Sequence, residues 1–219
     1  MRMLFNYNAH ACSFAGMKAK SLLTLALCPL FIVACTSKGH HPSENDLVVA
    51  REDTSGSNEP LYPFVEYIQN QIAYVDTTPF GIVKTVHLNG KTVDSAFIDK
   101  SLFRKEAQAF LEVNPNDSTI RKLYQESSFN DLTISRITFS ITALDKTLNL
   151  QQADILVNPQ NDMVKNVILK KQFDYPDSSV QQTLLWNDKM QFQVSETISP
   201  KNKEPYTRVT RIVWDKPLE

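Results

Sequence analysis

In the segment PLYPFVEYIQNQIAYVDTTP, Leu61, Phe64, Val65, Ile68, Ile72 and Val75 recur every three or four positions. That period gathers them on one stripe of an α-helix. Pro60 and Pro63 suit its first turn, and the run from Asp76 to Pro79 ends it. The next segment, GIVKTVHLNGKTVDSAFI, alternates instead. Its Asn89-Gly90 pair predicts a two-residue hairpin turn, because a type I′ turn needs positive φ at both central residues. With Leu88 set against Lys91, one face collects Ile82, Val86, Leu88, Val93 and Phe97, and that face is expected to be buried. The other face collects Thr85, His87, Thr92 and Asp94, with His87 diagonal to Asp94.

A second helix is predicted over Lys100 to Leu111, capped by Asp99 or Ser101, with Phe103, Ala107, Phe110 and Leu111 as its apolar stripe. A short helical turn is expected near Ser118 to Tyr124. From Leu132 onward the period becomes two. Ile137, Phe139, Ile141 and Ala143 alternate with polar residues, as do Ala153, Ile155 and Val157, then Val180, Leu184 and Trp186, then Met190, Phe192 and Val194. A less regular strand runs from Val164 to Phe173, and the last, Tyr206 to Trp214, is apolar on both faces. The connectors between these strands are short, which predicts an antiparallel meander, since a parallel crossover needs a dozen residues or more. The expected fold is one α+β domain over residues 60–219, a curved antiparallel sheet of about seven strands with two helices packed on one face.

The amino terminus follows other rules. From Met17 the chain reads MKAKSLLTLALCPLFIVAC: Lys18 and Lys20 form a positive region, and the apolar run that follows is too short for a membrane span of roughly 20 residues. Residues 1–34 are therefore expected to be a signal peptide, with either Met1 or Met17 as its start. Ile32-Val33-Ala34-Cys35 resembles the lipobox of bacterial lipoproteins. That resemblance implies cleavage before Cys35 and acylation of its thiol, with fatty chains that contribute about 0.8 kcal/mol per buried CH2. Residues 36–59, TSKGHHPSENDLVVAREDTSGSNE, have the polar, small-residue composition of a tether. The order of the elements that follow resembles a group of uncharacterised Bacteroidota lipoproteins of about 200 residues, a resemblance that implies an address and an architecture but no activity. The acidic cluster that follows the cysteine in surface-exported members has no counterpart in Thr36-Ser37-Lys38-Gly39, which favours the periplasmic face of the outer membrane.

Composition narrows the chemistry. A product that begins at Cys35 carries 20 Lys and Arg against 24 Asp and Glu, a net charge of −4, so no nucleic-acid partner is expected. Gly39, Gly56, Gly81 and Gly90 are too dispersed for a phosphate-cradling loop. Cys12 and Cys28 leave with the signal peptide and Cys35 carries lipid, so neither a thiol nucleophile nor a cysteine-ligated metal is expected. His40 and His41 lie in the tether, which leaves His87 as the one histidine of the domain. A zinc hydrolase needs two or three placed ligands, and none such is evident. His87 with Asp94 could orient an imidazole for acid–base work, yet no G-x-S-x-G nucleophile elbow accompanies it. Asn158 to Asp162 reads as a turn more than a calcium loop, and Asp174 and Asp177 around Pro176 as a turn more than a glycosidase pair. No cofactor is expected.

Asp76-Thr77-Thr78, Asp94-Ser95-Ala96 and Asp117-Ser118-Thr119 resemble the O-glycosylation acceptors of Bacteroidota, with the loop sites Thr77 and Ser118 ahead of Ser95 in a strand. Tyr62, Tyr67, Tyr74, Trp186, Tyr206 and Trp214 are either ordinary core or the lining of an apolar groove. Together these readings predict a lipid-anchored envelope protein, bound to a membrane through Cys35, that acts as a non-enzymatic binding or structural module on a protein partner or envelope component. A periplasmic carrier of a lipid or other apolar ligand is the alternative, and an unrecognised hydrolase ranks third.

Overall fold

The structure is a computed structural model that describes residues 59–131 and 133–216. The signal peptide, Cys35 and the tether, including His40 and His41, lie outside the described residues, as does Leu132. The order of elements is α1 (Phe64–Thr77), β1 (Gly81–Leu88), β2 (Lys91–Ile98), α2 (Lys100–Ala107), β3 (Tyr124–Asp131), β4 (Arg136–Ala143), β5 (Leu150–Asn158), β6 (Met163–Asp174), β7 (Ser178–Asn187), β8 (Gln191–Pro200) and β9 (Tyr206–Lys216). All nine strands form one curved antiparallel sheet in the order β2-β1-β9-β8-β7-β6-β5-β4-β3. Strands β4 to β9 are the expected meander, β3 extends it at one edge, and the β1–β2 hairpin is added to its other end through β9.

Nine strands correct the expected seven or so. The one that the hydrophobic pattern does not announce is β3, whose sequence YQESSFND has no run of alternating aliphatics. As an edge strand it pairs on one side only, with β4, so it needs less apolar surface to hold its place. The helical turn expected near Ser118 to Tyr124 is the 3-10 turn Arg121–Leu123, which leads into β3.

Helix α1 buries Phe64, Val65, Ile68, Ile72 and Val75, the stripe read from its period. Helix α2 starts where Asp99 accepts a hydrogen bond from the Leu102 N–H at 2.7 Å, which satisfies one orphan donor of the first turn. It is shorter than expected. After Ala107 the chain tightens into the 3-10 turn Gln108–Phe110, so Phe110 is buried while Leu111 is only partly covered.

Both helices cover one half of the inner sheet face. Between them and the strands lies an aromatic cluster of Phe103, Phe110, Trp186, Phe192 and Trp214, each 0% exposed. Phe110 meets Trp186 edge-on at 5.1 Å, Phe103 meets Trp214 edge-on at 5.4 Å, and Phe192 stacks on Trp186 at 5.1 Å. These offset and edge-to-face arrangements add roughly 0.5–1.5 kcal/mol per pair beyond area burial. Neither indole N–H finds a hydrogen-bond acceptor among the described residues, so what is seen to hold the cluster is packing.

The first hairpin departs from its expected register. Leu88 does face Lys91 and His87 faces Thr92, but Val86 faces Asp94, so Val93 is the extra residue of a β-bulge. A bulge inserts one residue and reverses the alternation beyond it. Ile82 and Val86 stay on the inner face, while Phe97 pairs with Val83 on the outer one, and Phe97 is 76% and Val93 59% exposed.

Candidate binding cleft on the inner sheet face

The helices leave the far half of the inner face uncovered, and the register arranges that half in rows. Lys171, Gln182, Glu196 and Arg208 stand opposite one another across β6, β7, β8 and β9. Two residues further along each strand, and so on the same face, stand Phe173, Val180, Ile198 and Tyr206. A polar belt therefore separates the buried core from an apolar rim. The three apolar rim residues are half-buried and Tyr206 is exposed; Tyr175, beyond the rim, stacks on Phe173 at 6.4 Å.

Over the belt, between α2 with its 3-10 extension and strands β1, β9, β8 and β7, opens a cleft of about 670 Å³. Three ion pairs surround it. Lys84 on β1 reaches Glu106 on α2 at 2.5 Å, Arg208 reaches Glu196 at 2.5 Å, and Lys171 reaches Glu112 at 2.7 Å. Gln182 adds a hydrogen bond to Glu196 at 2.9 Å, and the Lys171 ammonium also donates to the Ala109 carbonyl. Lys105, exposed on the helix side of the cleft, has no ion-pair partner among the described residues.

The belt is electrostatically uneven. The Lys171 side chain is 1% exposed, and burial pulls its proton affinity below the ordinary lysine value while Glu112 works in the opposite sense. Glu112 itself is 52% exposed, so the pair is a buried cation tethered to a solvated anion. The hydrogen bond from Arg208 to Glu196 raises the guanidinium further. The arrangement offers paired charges of both signs beside an apolar shelf. It places no nucleophile next to a base.

The residues singled out for chemistry are not brought together. His87 lies on the outer face opposite Thr92, while Asp94 shares the inner face with Val86, so the His87–Asp94 pairing is not formed. The same bulge that exposes Phe97 separates them. Asp174 and Asp177 bracket the β6–β7 turn, where Asp177 accepts from the Ser178 hydroxyl at 3.2 Å. In the β5–β6 turn Asn158 accepts from the Gln160 N–H and Asn161 from the Met163 N–H. Among the described residues no three His, Cys, Asp or Glu side chains converge as metal ligands. Thr77 ends α1, exposed, with its hydroxyl donating to Ala73 O at 3.0 Å. Ser118 is exposed in a turn in which Asp117 accepts from both Thr119 N–H and Thr119 Oγ1. Of the aromatics, Trp186 and Trp214 are core and Tyr206 belongs to the rim.

Comparison of the chain with family models, with curated proteins and with solved structures finds no match.

The sequence gives little sign of the cleft. Its charged members lie on β1, α2, the loop after it, β8 and β9, and only the pairing of β1 with β9 brings the two ends of the set together. The one available signal is the break in alternation on the inward positions, where Lys171, Gln182, Glu196 and Arg208 interrupt mostly apolar strand faces.

Proposed function

We propose that this chain is a lipid-anchored cell-envelope protein, held through Cys35 at the periplasmic face of the outer membrane, that works by non-covalent binding at the uncovered half of its inner sheet face. The observation that carries the reading is the belt and rim: Gln182, Glu196 and Arg208 line an open cleft, and the apolar row Phe173, Val180, Ile198 and Tyr206 lies beside them on the same face of the sheet. Charged groups already fixed by ion pairs, beside half-buried apolar side chains on a preorganised element, are what a binding module supplies. A partner protein or envelope component with an apolar segment beside charged groups suits this surface.

The carrier reading has one observation in its favour, the apolar rim of Phe173, Val180, Ile198 and Tyr206. Against it, the space between helices and sheet is filled by five aromatic side chains with no exposure. A carried acyl chain would have to displace them.

Photo-crosslinking in the cell tests the proposal. A benzophenone amino acid at Ile198 is expected to give a discrete covalent adduct, and the same probe at Gln181, on the outer face of β7, none. Adducts at Gln181 alone would overturn it. Native mass spectrometry of the purified protein separates the readings, because a co-purified lipid favours the carrier. For the anchor, Cys35→Ala is expected to move the protein from the membrane to the soluble fraction, and a variant that still pellets with membranes removes that part of the proposal.

A further inference from the structure

A second cleft, of about 550 Å³, lies at the opposite end of the sheet, where the β3–β4, β5–β6 and β7–β8 turns gather. Its chemistry differs from that of the belt. Four carboxamides line it, from Asn158, Gln160, Asn166 and Asn187, together with Asp188 and Lys165.

The frame around these groups is rigid. The β7–β8 turn is tied to α1 twice: the Tyr67 hydroxyl donates to Asp188 at 2.8 Å, and the Lys189 N–H donates to Gln71 at 3.1 Å, with Gln71 only 7% exposed. It is tied to β6 by the Asp188 N–H, which donates to the Lys165 carbonyl at 3.1 Å. A bulge in the β5–β6 pairing falls here, so that Leu156 faces Asn166 while Val157 faces Val164. Bulges re-aim side chains, and this one leaves Asn166 directly opposite Asn187, to whose Oδ1 its amide nitrogen donates. Among the described residues, no further hydrogen-bond partner is found for the Oδ1 of Asn166 or the Nδ2 of Asn187. A fixed acceptor and a fixed donor thus stand side by side.

A hydroxyl group is both donor and acceptor, and two vicinal hydroxyls match such an amide pair. Half-exposed Met190 and Ile134, 52% and 57% exposed, supply apolar patches at the margin on which the C–H face of a sugar ring can rest. We propose that this cleft is a carbohydrate-binding site, with Asn166 and Asn187 as its central hydrogen-bonding pair and Asp188 as a charged acceptor. It shares no lining residue with the inner-face cleft, so the two sites stand or fall separately.

The test is ligand-observed saturation-transfer NMR on the whole protein with three soluble probes at millimolar concentration: the trimers of N-acetylglucosamine, of mannose and of galacturonic acid. At least one is expected to show transfer, and Asn166→Ala with Asn187→Ala is expected to weaken it about tenfold. Gln181→Ala, at the other end of the outer face, is expected to leave it unchanged. Thermal melts of each variant establish that the fold survives. Transfer to none of the three probes overturns the proposal, and so does undiminished binding by a folded Asn166→Ala, Asn187→Ala double variant.

Discussion

Val86 stands opposite Asp94 across the first hairpin, and Val93, the extra residue between this pair and the His87–Thr92 pair, turns the outer half of β2 over. Phe97 is thereby a surface residue although it belongs to an apolar alternation. Phe97→Ser is expected to change unfolding free energy by no more than about 0.5 kcal/mol. Ile82→Ala, at a site 2% exposed, is expected to cost roughly 2–5 kcal/mol. Urea titrations of the two variants make the comparison, and equal losses would mean that the hairpin lacks the bulge.

The aromatic cluster should dominate stability. Phe103 touches Trp186, Phe192 and Trp214, with ring centroids at 6.5, 5.7 and 5.4 Å. Phe103→Ala removes all three contacts and leaves a void that close-packed neighbours fill only in part. A loss of about 3–5 kcal/mol is expected, read from chemical denaturation followed by tryptophan fluorescence. A loss under 1 kcal/mol would show that α2 is not seated on the sheet.

Lys171 and Glu112 should behave asymmetrically. Removal of the anion in Glu112→Gln leaves a buried ammonium with the Ala109 carbonyl as its remaining partner, and about 1 kcal/mol of destabilisation is expected. That is less than the roughly 3–5 kcal/mol of a fully buried pair, because Glu112 is half solvated. Lys171→Met removes the charge itself and should be close to neutral. Burial lowers the folded-state proton affinity of Lys171 below the ordinary value of 10.5. Just under that pH the unfolded chain holds more protons than the folded one, so stability rises with pH across that window. Lys171→Met should remove that rise, as measured by thermal melts between neutral and alkaline pH.

Three aspartates at turns set an acid limit. Asp117, Asp131 and Asp145 each accept from the threonine two residues on, Thr119, Thr133 and Thr147, and these bonds, the hydroxyl foremost at Asp131 and the backbone N–H foremost at Asp117 and Asp145, hold all three carboxyls below the usual range. A depressed carboxylate contributes stability above its unfolded pKa and loses it as pH falls through the folded one. The turns should loosen below about pH 4, the ordinary aspartate range. Protection factors at the Thr119, Thr133 and Thr147 amides, taken relative to the intrinsic exchange rate at each pH, should fall together on acidification, and Asp117→Asn should remove that fall at Thr119 alone. Protection that stays constant with pH would contradict the assignment.

Burial opposes one acidic group in the other sense. Glu126, which accepts from the Tyr62 N–H at 2.6 Å, has its proton affinity raised by desolvation, against the opposing effects of that bond and of Arg121. A raised carboxyl contributes stability below its unfolded pKa and loses it as pH rises through the folded one. Glu126→Gln should therefore flatten the mildly acidic arm of the stability curve, measured by thermal melts.

Most of the elements were legible in the chain. The three-to-four spacing from Leu61 to Val75 named the buried side of α1, and Asn89-Gly90 named the hairpin turn, where both residues have positive φ. Asp99 was legible as a cap because a short acceptor before an apolar stripe has one low-energy use. Strand β3 was not legible, since its polar residues carry no period, and neither was the bulge at Val93, because an inserted residue looks like an ordinary alternating one until its partner strand is known. The inner-face cleft was hidden for a further reason. Lys84 and Arg208 are far apart in the chain, and Leu88 meets Arg208 only because β1 joins the end of the meander.

What the sequence determined by itself is therefore local: where the chain turns, which period each segment follows, and which side of each element is apolar. These depend on neighbours within a few residues, and a period is a complete record of them. The tertiary structure alone decided which strand became an edge, where the alternation reversed, and which charges met across the open half of the sheet. Those outcomes rest on pairings between distant segments, whose free energy depends on shape and register together and leaves no periodic trace in either segment.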